Sequence, residues 1–283
     1  MRFNMSNTFS RLSLSLVMVF SLLTLTGCET LNSLLDVVPK PTASLQSVSL
    51  ADLSLSDATV DLAVQVNNPY KVSIPNVNLD YALATQNIDF VSGNIKSDKS
   101  IPAGSSSVIH VPVKVSYASL LSLAQTVRPG QVVAYDANVK FSTNVPGIGA
   151  VSLPLNRKGE LPVPMVPKVS VESVEWGDVS LSKATATINL NVTNLNDFAV
   201  KMKQLKYDFG IGGKNVVSSK VTKPLNFTEG QQQTLQIPIS FNAMSLGLGA
   251  LNIIRSGQAS YTMSGTLDAD TPFGALTFPI LSE

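Results

Sequence analysis

Side chains that commonly act as nucleophiles, bases or metal ligands are scarce in this sequence. Cys28 is its only cysteine and His110 is its only histidine. A Ser/His/Asp triad needs a histidine placed as the base, and zinc sites of the common types combine several histidines or cysteines. His110 stands in the alternating segment 108–112, which is typical of a solvent-facing residue on a strand. The sequence predicts no catalytic residue, no metal site and no cofactor site.

Two groups of carboxylates are candidates for acid–base chemistry. Asp57 and Asp61 lie on or beside a predicted strand, whereas Glu172, Glu175 and Asp178 lie in a segment rich in turn-forming residues. Paired carboxylates catalyse only when the fold brings them to either side of a substrate. Solvated strand faces and turn caps explain both groups. We therefore expect a protein that is not an enzyme, and no small-molecule substrate is inferred.

A glycine-rich segment at 210–213 (Gly-Ile-Gly-Gly) raises the question of a phosphate-binding loop. Such a loop needs a further glycine at a fixed spacing and a helix that begins directly after it. The segment has neither, and Val216 and Val217 continue a strand pattern. The sequence predicts a hairpin turn at 210–213.

Six lysines surround this turn, with Asp208 as the only acid among them: Lys201, Lys203, Lys206, Lys214, Lys220 and Lys223. Lysines on edge strands commonly prevent edge-to-edge pairing, which is the first interpretation. The second is a contact with anionic lipid head groups or lipopolysaccharide phosphates. The formal charge of the whole chain is +1, so no nucleic-acid partner is expected.

Cys28 stands where a different chemistry is expected, the attachment of lipid. A positively charged start precedes an apolar run from Leu12 to Leu25, which is the pattern of an export signal peptide. The run is shorter than the roughly 20 residues of a membrane-spanning helix. It leads into Leu-Thr-Gly-Cys at 25–28, which resembles the lipobox of bacterial lipoproteins. The resemblance implies cleavage between Gly27 and Cys28 and a covalent diacylglycerol on Cys28.

This N-terminal signal also predicts a location. We expect residues 1–27 to be the signal peptide and residues 28–44 to be a lipidated tether, so that the mature protein is anchored to a membrane without spanning it. Glu29 follows the cysteine, where aspartate would favour inner-membrane retention in the enterobacterial pattern. The expected location is the cell envelope, at the outer membrane and facing the periplasm.

Most of the remaining chain is predicted to form two folded units. Hydrophobic residues make up 44% of the sequence and charged residues 14%, which is enough apolar material for a core and too much for a disordered chain. A shift of 126 residues aligns Asn68 with Asn194 and Tyr81 with Tyr207. Repeats of this length indicate tandem domains, here at 45–164 and 165–283. Three prolines within 160–168 predict a short, extended and semi-rigid connector between them.

Alternating apolar residues predict strands in both units, at 60–66 and, at the matching positions of the second unit, 186–192. Further strands are predicted at 76–84, 108–115, 134–141 and 151–155. Leucine- and alanine-rich segments at 117–127 and 243–254 predict one short helix per unit, with glycine stops at Gly130 and Gly257. The pattern predicts an all-β fold with two tandem antiparallel β-sandwich domains of immunoglobulin- or fibronectin-III-like size.

The order of these segments resembles the type-two late embryogenesis abundant family, also called the water stress and hypersensitive response (WHy) domain. The resemblance is carried by 60–83 with its Asn68-Pro69 turn, by Ile-Pro-Ala-Gly at 101–104, and by Leu-Pro-Leu-Asn-Arg-Lys-Gly-Glu at 153–160. It covers the first unit nearly end to end and the second in weaker form. In the second unit Asn194 is followed by Leu195, and the Lys-Gly-Glu stretch has no counterpart.

The resemblance implies folded β-sandwiches and a protective role under desiccation, osmotic or cold stress. Our leading expectation is a membrane-anchored, stress-associated lipoprotein that binds or shields envelope surfaces during water loss. Two alternatives stay open. One is a structural adaptor in a cell-envelope assembly that uses exposed strand edges, and the other is a carrier of an apolar ligand held between the sheets.

Overall fold

The computed structural model describes residues 39–180, 182–242, 244, 252, 254, 256 and 259–282. Cys28, the predicted signal peptide and most of the predicted tether lie outside the described residues. So does most of the helix predicted at 243–254. Within the described part of the chain, no helix is long and apolar enough to cross a membrane.

The first unit contains seven strands and one helix. In chain order they are β1 (Thr42–Leu53), β2 (Asp57–Asn67), β3 (Val77–Thr85), β4 (Ile88–Ser97), β5 (Ser106–Ser116), α1 (Tyr117–Leu123), β6 (Val132–Val145) and β7 (Gly149–Pro162). Strands β1, β2 and β5 form one antiparallel sheet in the order β1-β2-β5. The other sheet has the order β4-β3-β6-β7 and is also antiparallel.

The second unit repeats this topology. Its strands are β8 (Lys168–Val179), β9 (Ala184–Thr193), β10 (Val200–Ile211), β11 (Lys214–Val221), β12 (Leu225–Phe227), β13 (Gln232–Phe241), β14 (Tyr261–Thr271) and β15 (Gly274–Ser282). Their sheets have the orders β8-β9-β13 and β11-β10-β14-β15, and the three-residue β12 also pairs with β10. Each strand except β12 thus has a counterpart in the first unit. The predicted all-β fold of two tandem antiparallel domains is confirmed.

Each unit has its own hydrophobic core between its two sheets. The predicted alternation places Val60, Leu62 and Val64 on the inner side of β2, where none of them is exposed to solvent. Ile188 and Leu190 are buried in the same way on β9. Burying a side chain of this size contributes about 1.5–3 kcal/mol. The period-two pattern therefore identifies the inward face of the central strand in both units.

The helix prediction in the first unit is correct at its start and wrong at its end. Helix α1 begins at Tyr117 but ends at Leu123, where the backbone N–H of Ala124 donates to the carbonyl of Leu120. Gly130, predicted as the helix stop, has a φ of +94°. Its N–H donates to the carbonyl of Val163 at 2.7 Å. The left-handed conformation that glycine permits is used to hold the connector, not to end the helix.

The connector between the units, at 163–167, contains no helix or strand, and it is fixed by hydrogen bonds. Val163 is buried, and its N–H donates to the carbonyl of Gln131. The side chain of Asn196, in the second unit, accepts from the N–H of Met165 at 2.7 Å and donates to its carbonyl at 2.9 Å. The N–H of Asp197 donates to the carbonyl of Gly130. These contacts tie a loop of the second unit to both the connector and the first unit.

Several sheet edges carry features that oppose pairing with another chain. Proline lacks the N–H that a strand ladder needs and is tolerated on edge strands. Pro112, Pro154, Pro238 and Pro279 lie on the edge strands β5, β7, β13 and β15. The edge strands β1 and β8 each pair with their neighbours through register shifts typical of β-bulges. Proline and bulges at edges are known devices against edge-to-edge association.

Candidate functional site

His110 lies on the outer face of the β1-β2-β5 sheet, as predicted, with 64% of its side chain exposed. The strand pairing places it opposite Ala63 and next to Asp61. Its Nδ1 is 2.7 Å from the Asp61 carboxylate. Sequence reasoning missed this pair because the two residues are 49 positions apart and meet only when β2 and β5 become neighbours. An exposed pair of this kind contributes about 0–1 kcal/mol to stability.

Asp57 and Asp61 do not form a catalytic pair. Asp57 faces Lys114 on β5, at 3.3 Å between carboxylate oxygen and Nζ. A hydrogen bond from the Ser56 hydroxyl, with a smaller contribution from Lys114, lowers the pKa of Asp57. The two carboxylates lie four positions apart on one strand, which separates them by about 13 Å at roughly 3.3 Å per residue. Glycosidase-type carboxylate pairs require about 5–9.5 Å.

The second group of carboxylates lies on a strand, so its predicted placement in a turn-rich segment is wrong. Glu172, Glu175 and Asp178 belong to β8. The Asn189 side chain on β9 donates to the Glu175 carboxylate at 2.8 Å. In the part of the chain that the structure describes, no group of three histidine, cysteine or acidic side chains is arranged to hold a metal ion.

The turn predicted at 210–213 is confirmed. Strand β10 ends at Ile211 and β11 begins at Lys214, with Gly212 and Gly213 at φ angles of +56° and +77°. Two consecutive residues with positive φ are the geometry of a tight type I′ hairpin. The glycine-rich segment therefore serves the hairpin that carries the predicted lysine cluster.

The lysines of this hairpin are not all on a sheet edge. Lys201, Lys203 and Lys206 point outward from β10, which lies between β11 and β14. Only Lys214 and Lys220 lie on the edge strand β11. Protection against edge pairing therefore explains the two lysines on β11 but not the three on β10.

Strand β14 brings acidic residues to the lysines, and the sequence order did not reveal them. Lys203 Nζ is 3.2 Å from the Asp270 carboxylate, and Lys206 Nζ is 3.6 Å from that of Asp268. Lys206 also lies directly opposite Lys220 on β11, and like charges in that arrangement repel each other. Lys214 lies at the hairpin turn and Lys223 in the loop between β11 and β12. We call these two lysines, Lys201, Lys203, Lys206 and Lys220, together with Asp208, Asp268 and Asp270, the lysine face. Six cations against three carboxylates leave it a formal charge of +3.

Buried asparagines form the most closely matched polar feature of the two units. The Asn68 amide donates to the carbonyls of Val72, Ile101 and Pro102, and its oxygen accepts from the N–H of Tyr70. Both polar ends of this fully buried amide are therefore satisfied.

Asn194 makes the same pattern of bonds in the second unit. Its amide donates to the carbonyls of Phe198, Phe227 and Thr228, and its oxygen accepts from the N–H of Asn196. Pro69 in the first unit is replaced by Leu195 without loss of this arrangement. The buried amide, and not the proline, therefore defines the turn. The match of Asn68 with Asn194 at the 126-residue shift was the signal for it in the sequence.

The model of one protein family matches both units. That family is described as late embryogenesis abundant protein, and the matched residues are 63–159 and 189–283. Together these segments cover about two thirds of the chain. This chain belongs to the late embryogenesis abundant protein family. Both matched segments begin within the central strand of a three-stranded sheet, β2 in the first unit and β9 in the second.

Relatives of this late embryogenesis abundant protein resemble one unit in length. The "Desiccation protectant protein Lea14 homolog" of Glycine max is 32% identical over 127 residues, which cover 45% of this chain and 84% of the relative. "Late embryogenesis abundant protein Lea14-A" of Gossypium hirsutum is 31% identical with the same two coverages. The solution structure of AT1g01470 from Arabidopsis thaliana is 27% identical, covers 46% of this chain and 85% of its own, and has a TM-score of 0.38.

Proposed function

We propose that this protein is a membrane-anchored, non-enzymatic lipoprotein that protects cells during desiccation by binding or shielding surfaces of the cell envelope. The observation that carries the proposal is the occurrence of two late embryogenesis abundant domains in tandem, with relatives that are named desiccation protectant or desiccation-related proteins. Within that family we assign both units to the WHy type, because the motifs between residues 60 and 160 of the first unit follow one another in the order typical of that type.

The polar side chains of the described residues support a role without catalysis. Three of the five carboxylates that could be considered for acid–base chemistry are each held by a different partner: Asp57 by Lys114, Asp61 by His110, and Glu175 by Asn189. None of these contacts converges on a common position where a substrate atom could react, which is the arrangement that catalysis requires.

The membrane part of the proposal rests on the N-terminal sequence. The signal peptide and the lipobox-like segment at 25–28 favour lipid on Cys28 and a place in the outer membrane, facing the periplasm. A tether of 28–44 would keep the first unit near the bilayer. This arrangement would place the first unit beside the membrane surface that it is proposed to shield.

The lysine face is our candidate for direct contact with the anionic part of such a surface. Its formal charge of +3 and the exposure of Lys201 and Lys220 favour attraction to lipid phosphates. We expect the full-length protein with Lys201→Gln and Lys220→Gln to bind anionic vesicles more weakly than the wild type, with Lys140→Gln in the first unit as the matched control. Binding that does not change when anionic lipid is added would remove this contact from the proposal.

The sheet edges weigh against the adaptor alternative. An adaptor that works by strand addition needs an edge with a free row of N–H and C=O groups. Pro112 and Pro238 interrupt that row on β5 and β13, and Pro154 and Pro279 do so on β7 and β15. A protein that must stay separate while its surroundings become crowded benefits from such edges.

Survival of drying by living cells tests the proposed function. A deletion strain would be complemented with the wild-type chain or with Cys28→Ala, and viability would be counted after desiccation and rehydration. We expect the deletion to reduce survival, the wild type to restore it, and Cys28→Ala to restore it only in part. Unchanged survival of the deletion strain under desiccation and osmotic stress would contradict the proposal.

A further inference from the structure

The tether reaches the first unit at one end of its sandwich. Thr42, the first residue of β1, pairs with Asn67, the last residue of β2. The loop that follows β2 therefore lies beside the end of the tether, and the Thr143 hydroxyl near the end of β6 donates to the carbonyl of Pro75 in that loop at 2.8 Å. Strand pairing brings the β4–β5 loop and the β6–β7 turn to the same place. We call this surface the tether end, and it consists of 39–41, 68–76, 98–105 and 146–148.

Two large apolar side chains are exposed at the tether end. Val72 is 47% exposed in the loop after β2, and Ile148 is 41% exposed in the β6–β7 turn. Hydrogen bonds hold the backbone at both positions. The Asn68 amide donates to the Val72 carbonyl at 2.9 Å, and the Ile148 N–H donates to the Val145 carbonyl at 3.0 Å. Both apolar side chains are thus held at the surface, where their burial against a partner would be favourable.

The same loops of the second unit bury their apolar side chains. The 126-residue shift places Phe198 at the position of Val72, and Phe273 one residue from the position of Ile148. Phe198 and Phe273 contact each other edge to face, with 5.5 Å between their ring centroids, and Phe198 is buried. The fold can therefore cover apolar residues on these two loops by itself. The exposure of Val72 and Ile148 is a property of the first unit and not a requirement of the fold.

In the second unit, this end of the fold contacts the segment of chain that precedes it. Asn196 and Asp197 lie in the loop after β9, which matches the loop at 68–76. They form hydrogen bonds with Met165 in the connector and with Gly130 in the first unit. The matched loop of the first unit lies beside the tether instead. By analogy, the tether end is the part of the first unit that would face whatever holds the tether.

Lysines accompany the exposed apolar side chains of the tether end. Lys40, Lys71 and Lys99 are exposed there, and Asp98 is the only acid, which leaves a formal charge of +2. Apolar side chains favour the boundary between head groups and acyl chains, and nearby lysines are attracted to anionic lipids. Protein interfaces are instead enriched in aromatic residues, methionine and arginine. The tether end has neither methionine nor arginine, and its single aromatic residue, Tyr70, is buried.

The length of the tether keeps this end close to the proposed lipid. Cys28 precedes Pro39 by 11 residues, which span at most about 36 Å at roughly 3.3 Å per residue. Strand β7, with 14 residues, extends about 46 Å from the turn at 146–148 to the connector. The second unit therefore begins at the opposite end of the first. The tether end is the part of the folded chain that a lipid on Cys28 brings nearest to a bilayer.

We propose that the tether end contacts the surface of the anchoring bilayer, with Val72 and Ile148 in the head-group region and the lysines beside lipid phosphates. This contact rests on the lipid anchor of the proposed function and adds an orientation to it. The first unit stands on the bilayer, and the second unit is held away from it. The lysine face, which belongs to the second unit, is left available for a second anionic surface.

The depth of fluorescent dyes in vesicles tests this contact. The full-length protein, carrying the lipid that we propose on Cys28, would be incorporated into vesicles of phosphatidylethanolamine and phosphatidylglycerol. A dye would be attached at Val72→Cys or Ile148→Cys, with Leu123→Cys as the control, since Leu123 is 50% exposed on α1 at the opposite end of the first unit. We expect dyes at the first two positions to shift their emission to the blue and to be quenched by lipids that carry a nitroxide on the head group. The dye at the control position should show neither effect.

Removing both apolar side chains should release the tether end. In Val72→Ser with Ile148→Ser, followed by a dye at Lys99→Cys, the balance between bilayer-bound and water-exposed dye should shift about tenfold toward water, because the burial of two half-exposed aliphatic side chains is lost. Ile88→Ser with Leu123→Ser changes two comparably exposed residues at the opposite end and should leave the balance unchanged. The dye at Lys99→Cys also provides the depth measurement if a dye at the apolar positions disturbs the fold.

Three results would overturn the proposal, and they can be told apart. Dyes at Val72 and Ile148 that behave like the dye at Leu123, while the protein stays on the vesicles, would exclude the contact and leave the lipid anchor standing. A protein that does not float with the vesicles would contradict the anchor itself and, with it, the contact. Quenching between dyes on different copies, without quenching by lipid nitroxides, would assign the tether end to contact with a second copy of this chain.

Discussion

The two units of this protein share a buried polar turn and differ in the outer face of the sheet beside it. Asn68 and Asn194 each satisfy three backbone carbonyls with one amide, although a proline follows the first and a leucine the second. On the central strand of the sheet next to this turn, the outward residues include Asp57 and Asp61 in the first unit, whereas they are threonines and asparagines in the second. Buried groups with fixed partners thus persist through duplication, whereas solvent-facing positions on the same strands have changed their chemistry.

The largest effect is expected from removing the shared asparagine. Asn68→Ala would leave three carbonyls and one N–H without partners, and Asn194→Ala would do the same in the second unit. Because each unsatisfied buried group costs about 1–3 kcal/mol, we expect each variant to lose at least about 3 kcal/mol of unfolding free energy. Urea unfolding would measure the loss.

The exposed Asn156 and Asn226 are matched controls for these two variants. Their replacement by alanine should change the unfolding free energy by less than about 0.5 kcal/mol, as is usual for surface positions. A clear difference between Asn68→Ala and Asn194→Ala, with one near zero, would show that the two turns are not equivalent.

A smaller loss of unfolding free energy is expected from removing Asn196, which gives the second unit a contact with the connector. Asn196→Ala removes both hydrogen bonds to Met165 in the connector and one to the Asn194 oxygen. We expect a loss of about 1–2 kcal/mol, together with larger relative motion of the two units. Small-angle X-ray scattering would detect that motion as a broader range of interdomain distances. An unchanged scattering profile would show that the connector is held without Asn196.

Tyrosine hydroxyls provide a finer comparison between the units. The Tyr117 hydroxyl is buried without a hydrogen-bond partner, and burial, followed by the charge of Asp57, raises its pKa. Tyr117→Phe removes an unsatisfied group and should stabilise the first unit by up to about 1 kcal/mol. Tyr207→Phe removes a hydroxyl that has a hydrogen bond to Ser219, and it should destabilise the second unit. Thermal unfolding of both variants would check the opposite signs, and two shifts of the same sign would contradict the assignment.

The smallest effect concerns acid stability. The pKa of Asp57 is lowered from its ordinary value of 3.8, so the folded state favours the charged carboxylate. This contribution is present above the unfolded pKa and is lost as the pH falls below 3.8 through the folded pKa. Asp57→Asn has no carboxylate at this position, so it cannot lose this stabilising contribution at low pH. The second unit has Lys183 at the matched position. Urea midpoints at about pH 5 and about pH 3 should therefore differ slightly less in Asp57→Asn than in the wild type.

The sequence predicts side-chain burial where that burial follows from the geometry of a single strand. The alternation at 60–66 and 186–192 identified the central strands because period-two patterns follow directly from strand geometry. Strand β4 was not predicted, since Gly93, Asn94 and its many half-exposed residues obscure the alternation on an edge. The end of α1 was misplaced because the glycine taken as its stop serves the connector.

Contacts between distant segments could not be read from the sequence. Lys203 and Asp270 are 67 positions apart and meet only because β10 and β14 are adjacent. The sequence order therefore overestimates the positive charge of the lysine face, because it shows Asp208 as the only acid near the six lysines. The buried asparagines were visible as matched positions, but their roles depend on three carbonyls that come from two loops. An internal repeat in the sequence thus identifies matched residues such as Asn68 and Asn194, but only the structure shows which groups they contact.

Leakage from dried vesicles most directly tests the central claim that this protein protects surfaces during water loss. The full-length protein, carrying the lipid that we propose on Cys28, would be incorporated into vesicles that hold a fluorescent dye, and the vesicles would be dried and rehydrated. We expect less dye to leak than from vesicles that carry an equal amount of an unrelated lipid-anchored β-sandwich protein. Equal leakage from the two preparations, at every protein density, would contradict the account.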